Sequence, residues 1–387
     1  MPFYATLGEF MTDNLIGYFA ARQSETVALL RQLVELESPS ESKPALDRLG
    51  TFIATQLRDV GATVEVVPQT TAGDHLVATF GSGTASPIVT LCHIDTVWPL
   101  GTLTKMPWRE EDGKLRGPGV YDMKASTAML LMVLRYFRET QTQPEHPLRM
   151  LFTTDEETGS ATSRALIEAE AKNAALVLCL EPALSNGALK TFRKGTGDFT
   201  VTAYGRAAHA GADHAKGVNA IEEIARQITA LHRMTNYELG TTVNVGVISG
   251  GTVSNVVPDR AQIEVDIRVS TLAEGERMVK TILNLEPQLP GARLDVTGGL
   301  NRPPMERTPQ IVEAFQKAKA IGAGLGLDLL EGSTGGASDG NFTGALGVPT
   351  LDGLGAVGNG GHAVDEHVIA SSLPERTALL AAILAQW

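Results

Sequence analysis

Apolar residues recur three or four apart near the start of the chain, at Ile16, Phe19, Val27, Leu30, Leu33 and Val34. This spacing predicts helix from about Asp13 to Leu36 with one face laid on a sheet. Ser38, Pro39 and Ser40 end the pattern. A second helix is predicted near Ala45 to Val60, and Gly61 leads from it into the alternating strand Thr63 to Val67. His75 to Phe80 reads as another short strand. Pro87 to Cys92 (PIVTLC) is almost continuously apolar, as expected of a strand covered on both faces. Helix follows over Ala125 to Phe137, then strands at Leu148 to Thr154 and Leu176 to Leu180. Strand and helix alternating in this way predict an α/β domain, a mixed sheet flanked by helices.

The pattern changes near Gly195. Phe199 to Tyr204, Thr242 to Ile248 and Ala261 to Val269 alternate polar with apolar, as antiparallel strands with one solvated face do. Val218 to His232 reads as helix between them. We therefore expect a smaller α+β domain, residues 196–305, inserted into a main domain of residues 1–195 and 306–387. The main domain resumes with a helix over Thr308 to Ala323 and closes with one over Ser371 to Gln386. Between these lie GSTGGASDGN and DGLGAVGNGGHAVDEH, which read as site-forming loops too flexible for core.

A length of 387 residues exceeds what one hydrophobic core usually organises, in keeping with two domains. The net charge of −12 argues against a nucleic acid or an anionic membrane as partner. It leaves room for a small anionic substrate, which feels only local charge. Cys92 and Cys179 sit inside apolar runs and read as core residues, compatible with a reducing compartment. The N-terminal segment lacks a basic stretch followed by a clean apolar one and reads as mature protein. No apolar run reaches the roughly 18 residues of a membrane span. A cytoplasmic location is the expectation.

The candidate chemistry lies at strand ends. LFTTDEETG, Leu151 to Gly159, reads as a buried strand that delivers Asp155, Glu156 and Glu157 together. Three carboxylates in one place are either splayed into water or held by a cation that offsets their charge. His93 and Asp95, two apart after the PIVTLC strand, can share a face at its C-terminal end, where open α/β sheets place ligands; a structural role is the competing reading. Asp122 follows Gly117, Pro118 and Gly119 and, taken alone, reads as the cap of the next helix. Glu181 ends the Leu176 strand, and His362 sits in a glycine loop. Together His93, Asp122, Glu157, Glu181 and His362 offer five nitrogen and oxygen ligands suited to zinc or a similar divalent ion. A carboxylate shared between two ions allows a two-metal site. Asp95 is then a natural partner for the second nitrogen of His93, and Glu156 stands beside a ligand where it can accept a proton. His75, His146, His214, His232 and His367 show no partner pattern and read as surface or structural residues.

These residues carry a resemblance. HIDTV from His93, GPGVYDMK from Gly117, DEETG from Asp155, GluPro at Glu181, AHAG from Ala208 and GGH from Gly360 resemble the M20 metallopeptidase family, and within it the glutamate carboxypeptidase group. The likeness runs over nearly the whole chain in the family's order. It implies that Asp122 bridges two zinc ions, cobalt or manganese being compatible substitutes, with His93 and Glu181 completing one site and Glu157 and His362 the other. It further implies that Glu156 is the general base, that Asp95 orients His93, and that the peptide bond between Asp122 and Met123 is cis. The inserted domain becomes a lid through which a homodimer forms, with His209 reaching the partner's site to hold an oxyanion. Arg268 and Arg302, with Asn255, are the candidates for binding a substrate carboxylate.

The implied activity is hydrolysis of an amide bond in a small peptide or N-acyl amino acid, most directly release of a C-terminal residue such as glutamate. Two departures are small: Met123 stands where many relatives carry a second aspartate, and glutamate at Glu181 favours the carboxypeptidase and desuccinylase branches over the aminopeptidase branch. Rival readings are an N-acyl amino acid deacylase of the acetylornithine or succinyl-diaminopimelate type, and a catalytically silent binding protein on the same fold. No ligand or base is lost in this sequence, as a silent member would require.

Overall fold

The computed structural model describes residues 15–387, so the start of the first expected helix and most of the N-terminal segment lie outside the described residues. What is described there is a pair of helices, Leu15–Ala21 and Gln23–Glu35, broken at Arg22. The apolar spacing continues across the break, so periodicity alone reads them as one. The chain divides into two compact units. The first comprises Met1–Phe192, Arg307–Ser333 and Ser338–Trp387, and the second Arg193–Glu306 with Thr334–Ala337.

The first unit is built on a mixed eight-stranded sheet flanked by helices. From edge to edge its strands are Thr63–Val67, His75–Phe80, Leu148–Thr153, Ile88–His93, Leu176–Cys179, Thr350–Asp352, Leu189–Arg193 and Glu331–Thr334. The Leu148, Ile88, Leu176 and Thr350 strands run parallel to one another. Every residue of Ile88–His93 is buried, which is why that run is apolar without alternation. Register decides the rest: His93 lies opposite Thr153, and Leu91 opposite Cys179. The parallel strands therefore end side by side, and His93, the Asp155–Glu157 group and Glu181 emerge along one edge of the sheet.

Helix Ala125–Thr140 is buried over an unbroken run from Ala125 to Leu134, and so it is apolar on all sides. The closing helix, Leu373–Gln386, is buried in the same way. Among the described residues no helix is long and apolar enough to cross a membrane.

One expectation fails. The glycine-rich segments are not too flexible for core: Ser338, Asn341, Leu354, Ala356 and Glu366 are buried, and Gly340–Ala345 forms a short helix. Glycine serves close approach here rather than mobility. The Gly355 N–H, for example, donates to the carbonyl of Glu181 at 2.9 Å, and a side chain at that position would collide with the backbone around Glu181.

The second unit is a four-stranded antiparallel sheet in the order Thr242–Gly250, Arg260–Val269, Gly195–Tyr204, Arg293–Arg302. Helices Ala220–His232 and Leu272–Leu283 cover one face, capped by the side chains of Asn219 and Thr271. Val201, Ile224, Ile263, Ile267, Met278 and Ile282 form the core between them. The Leu272 helix and the Arg293 strand escape the pattern reading; the strand carries paired glycines, Gly298 and Gly299, and little full burial.

Candidate metal centre

The six residues singled out for metal binding and proton transfer, and Asp95 with them, belong to the first unit. The strand ends supply His93, Glu156, Glu157 and Glu181, and two loops supply Asp122 and His362. Those loops are brought together by a small sheet in which His367–Ile369 pairs antiparallel with Lys114–Arg116, His367 opposite Arg116. Asp122 follows one of these strands, and His362 precedes the other. The peptide bond Asp122–Met123 is cis, as the resemblance implies. Asp122 caps no helix, because Ala125–Thr140 begins after Lys124 without a side-chain cap.

The arrangement centres on Asp122. Its Oδ1 lies 2.9 Å from Nε2 of His93, and its Oδ2 lies 3.4 Å from Nε2 of His362. His93 Nε2 is also 3.5 Å from Glu181 Oε1, and His362 Nε2 is 3.0 Å from Glu157 Oε2. One carboxylate thus faces two imidazoles, each with a further carboxylate beside it. Donor atoms of His93, Asp122 and Glu157 lie within 4.8 Å of one another, and so do those of His93, Glu156 and Glu181. Glu156 accordingly stands on the His93 and Glu181 side. His362 adopts a left-handed backbone at φ 63°, uncommon for a residue with a side chain.

Asp95 does more than the sequence suggested. The nearer acceptor for His93 Nδ1 is the backbone carbonyl of Asp95 at 3.1 Å, its carboxylate lying at 3.5 Å. A carbonyl only accepts, so Nδ1 carries the proton, and in the neutral ring the lone pair belongs to Nε2, which faces Asp122 and Glu181. The fully buried Asp95 carboxylate accepts from the backbone N–H groups of Glu156 and Glu157 at 3.2 and 3.1 Å and from Ser40 Oγ at 2.8 Å. It therefore holds the acidic turn as well as the histidine. Asp155 is turned away from this group: its Oδ2 accepts from the N–H and hydroxyl of Thr162.

Sequence reasoning also passed over Tyr121, whose hydroxyl donates to the Ala183 carbonyl at 2.9 Å and ties the Asp122 loop to the Glu181 loop. Its signal was there, one residue before Asp122. His75 is a buried structural residue, kept toward the neutral form by burial.

The donor set fits divalent cations. Two Nε2 lone pairs and three carboxylates form two nitrogen and oxygen clusters with one shared member. Without a cation the carboxylates hold protons on the rings. Burial alone would push His93 down, but hydrogen bonds to Asp122, Asp95 and Glu181 outweigh it and hold the ring well above its ordinary value. Hydrogen bonds to Asp122 and Glu157 raise His362 to about 10. Burial would raise Asp122, but hydrogen bonds from His362 and His93 leave it well below the usual carboxylate range.

The residues expected to touch substrate all lie in the second unit, in two groups. Arg268 and Arg302 are each in register with Thr196, on opposite sides of the central strand. Arg268 makes a two-pronged pair with Asp266 at 3.0 and 2.8 Å, and Arg302 is buried. His209 and Asn255 lie at the other end of that strand. Ala208 pairs with Val257, and the Ala210 N–H donates to the Asn255 carbonyl at 2.9 Å. The eight residue steps from Thr196 to Tyr204 span roughly 26 Å at about 3.3 Å per residue, with one group at each end of that stretch. Asn255 therefore belongs with His209 and not with the arginines. Nδ1 of His209 accepts from the N–H groups of Gly211 and Ala212 at 3.1 and 3.0 Å, so Nε2 bears the proton and is a donor.

Comparison with known proteins places the chain in a family. Residues 89–386 match the model of peptidase family M20/M25/M40. The chain is 30% identical to carboxypeptidase G2 of Pseudomonas sp. (strain RS-16), covering 96% of this chain and 92% of that protein. It is 32% identical to acetylornithine deacetylase of Proteus mirabilis (strain HI4320) over 62% of this chain and 66% of that one. The Bacillus subtilis YXEP protein, described as a dinuclear metal binding peptidase from the M20 family, shares the fold with a TM-score of 0.69 at 15% identity, over 95% of this chain and 98% of its own. The chain belongs to the M20/M25/M40 peptidase family and is a hydrolase of that metallopeptidase class.

A divalent ion needs the lone pair of a neutral ring. At pH 7, below the value of about 10 for His362, binding must expel protons, and affinity should weaken as pH falls. Calorimetric titration with Zn2+ in buffers of different ionisation enthalpy should show net proton release. Heats that do not depend on the buffer would contradict protonated rings.

Proposed function

We propose that this protein is a dinuclear zinc carboxypeptidase that releases a C-terminal amino acid, such as glutamate, from a peptide or N-acyl conjugate. The observation that carries the reading is Asp122, whose two carboxylate oxygens address different histidines at 2.9 and 3.4 Å. His93 and Glu181 would hold one ion, Glu157 and His362 the other, and Asp122 both. Two such ions, when bound, supply Lewis acidity to the scissile carbonyl and make an attacking water more acidic.

The protein's own residues then manage the protons. Glu156 takes one from the attacking water and returns it to the leaving amine. Nε2–H of His209 donates to the oxygen on which negative charge develops. Support for His209 acting on the site of a second copy comes from its place beyond the far end of the strand whose other end carries the arginine pair. From Thr196 to Tyr204 that strand is roughly 26 Å long, longer than a single acyl amino acid spans.

A homodimer through the second unit is part of this reading. Thr242–Gly250 is the open edge of its sheet, with Val247 and Ile248 more than half exposed. An uncovered apolar edge strand invites pairing with another chain. Ile248→Lys should shift the protein to monomer in sedimentation and lower activity with it; a dimer that persists would move the interface elsewhere.

Arg268 and Arg302, converging on Thr196, suit a substrate carboxylate because guanidinium binds it through two parallel hydrogen bonds. The similarity to acetylornithine deacetylase keeps a second reading in view, deacylation of an N-acyl amino acid by the same chemistry. A panel of peptidyl and acyl amino acids, read by release of free amino acid, separates the two. Preference for short N-acyl groups over peptidyl or aroyl glutamates would favour the deacylase.

Glu156→Gln should retain both metal ions and lose activity by about a hundredfold to ten-thousandfold. A near-normal rate would remove Glu156 from proton transfer. Arg268→Ala should raise KM roughly tenfold to a hundredfold for substrates with a free C-terminal carboxylate and far less for their amides. Equal effects on both would end its assignment to the carboxylate.

A further inference from the structure

The loop that carries Asp122 is held by a residue outside the ligand set. Glu366 is fully buried, and its side chain accepts four hydrogen bonds, none of them from a cation. Oε1 takes the N–H of Tyr121 at 2.9 Å and of Asp122 at 3.1 Å. Oε2 takes the N–H of Gly119 at 3.0 Å and the indole N–H of Trp98 at 2.8 Å. Three of these donors are backbone groups of one short loop, and Trp98 lies on the segment that leaves His93. The Glu366 backbone closes the loop of His362, its N–H donating to the Ala363 carbonyl at 2.9 Å. A single residue is therefore bonded to the segments that present Asp122, His362 and His93.

The geometry points to Glu366 as a positioning residue that presets the bridging carboxylate between its two ions. Without it, the N–H groups of Gly119, Tyr121 and Asp122 would be buried without an acceptor, and the loop would have to turn to find water. Asp122 would then no longer direct one oxygen to each histidine. A carboxylate is required because every partner is a donor. Glutamine has the same shape but must turn an NH2 toward two N–H groups. Residues behind a ligand typically change metal affinity by about tenfold to a hundredfold.

This inference rests on Asp122 being the shared ligand, and the test keeps the two claims apart. Zn2+ affinity is measured by competition with a chromogenic chelator, and bound metal by elemental analysis, for the unmodified protein, Glu366→Gln and Asp122→Ala. Thermal melting in chelator reports the fold without metal. Asp122→Ala should lose metal; full retention would overturn the site itself. Glu366→Gln should weaken Zn2+ binding by about tenfold or more while remaining folded. A folded Glu366→Gln protein whose affinity falls by less than that, whatever its melting point, would show a merely structural residue and overturn the proposal. If Glu366→Gln does not fold, Trp98→Phe removes one donor from Oε2 and keeps the aromatic packing. Its Zn2+ affinity should fall measurably, and an unchanged value would overturn the proposal.

Discussion

The first unit is governed by repulsion among carboxylates. Asp122, Glu156, Glu157 and Glu181 crowd around two imidazoles, with buried Asp95 directly behind them. Burying one uncompensated ion costs several kcal/mol, so such a group survives only where fixed donors or cations meet each charge. The donors here come largely from backbone. Asp95 is met by the N–H groups of Glu156 and Glu157, and Glu366 by those of Gly119, Tyr121 and Asp122. Hydrogen bonds to a charged group contribute about 1.5 to 3 kcal/mol each, enough in sets of three or four to offset that cost. The same bonds fix where the ligands point.

Asp95 and Glu366 thus do structural work for the acidic and histidine side chains around them. Asp95 fastens the turn after one parallel strand to the histidine ending the next. Glu366 fastens the Asp122 loop to the His362 loop across the Lys114–Arg116 and His367–Ile369 pair. Tyr121 adds a third tie, to the Glu181 loop. The open ends of the sheet become a tied rim, which is what holding a constellation of side chains in fixed positions requires.

In the second unit the polar residues obey a different logic. Its sheet has one covered face and one open, and Asp198 lies directly opposite Asp266 in register. Like charges in that position destabilise a sheet unless a cation intervenes, and Arg268 meets Asp266 through two bonds. Arg268 is therefore already committed to a neighbour that steadies its guanidinium. The ten-residue strand Gly195–Tyr204 keeps that arginine pair and the His209 turn at its two ends. Strand length alone keeps these two groups of polar residues apart.

Much of this was legible in order along the chain. The runs at Ile88–His93 and Leu148–Thr153 declared buried strands because a strand covered on both faces must be apolar throughout. The candidate residues His93, Asp122, Glu157, Glu181 and His362 were visible because each ends a strand or sits in a glycine loop, and residue type and placement of that kind are local. What the chain alone left open was adjacency. Whether Asp122 caps a helix or faces two histidines, whether GSTGGASDGN is loose or packed, and whether Asn255 keeps company with Arg268 or with His209 all depend on register and on which loops meet. Glu366 is the clearest case: in sequence it is one more acid in a glycine-rich stretch, and only pairing of distant strands surrounds it with donors. Periodicity and residue type are properties of neighbours along the chain, whereas burial and hydrogen-bond partnership belong to neighbours in space, and those were settled by the tertiary structure.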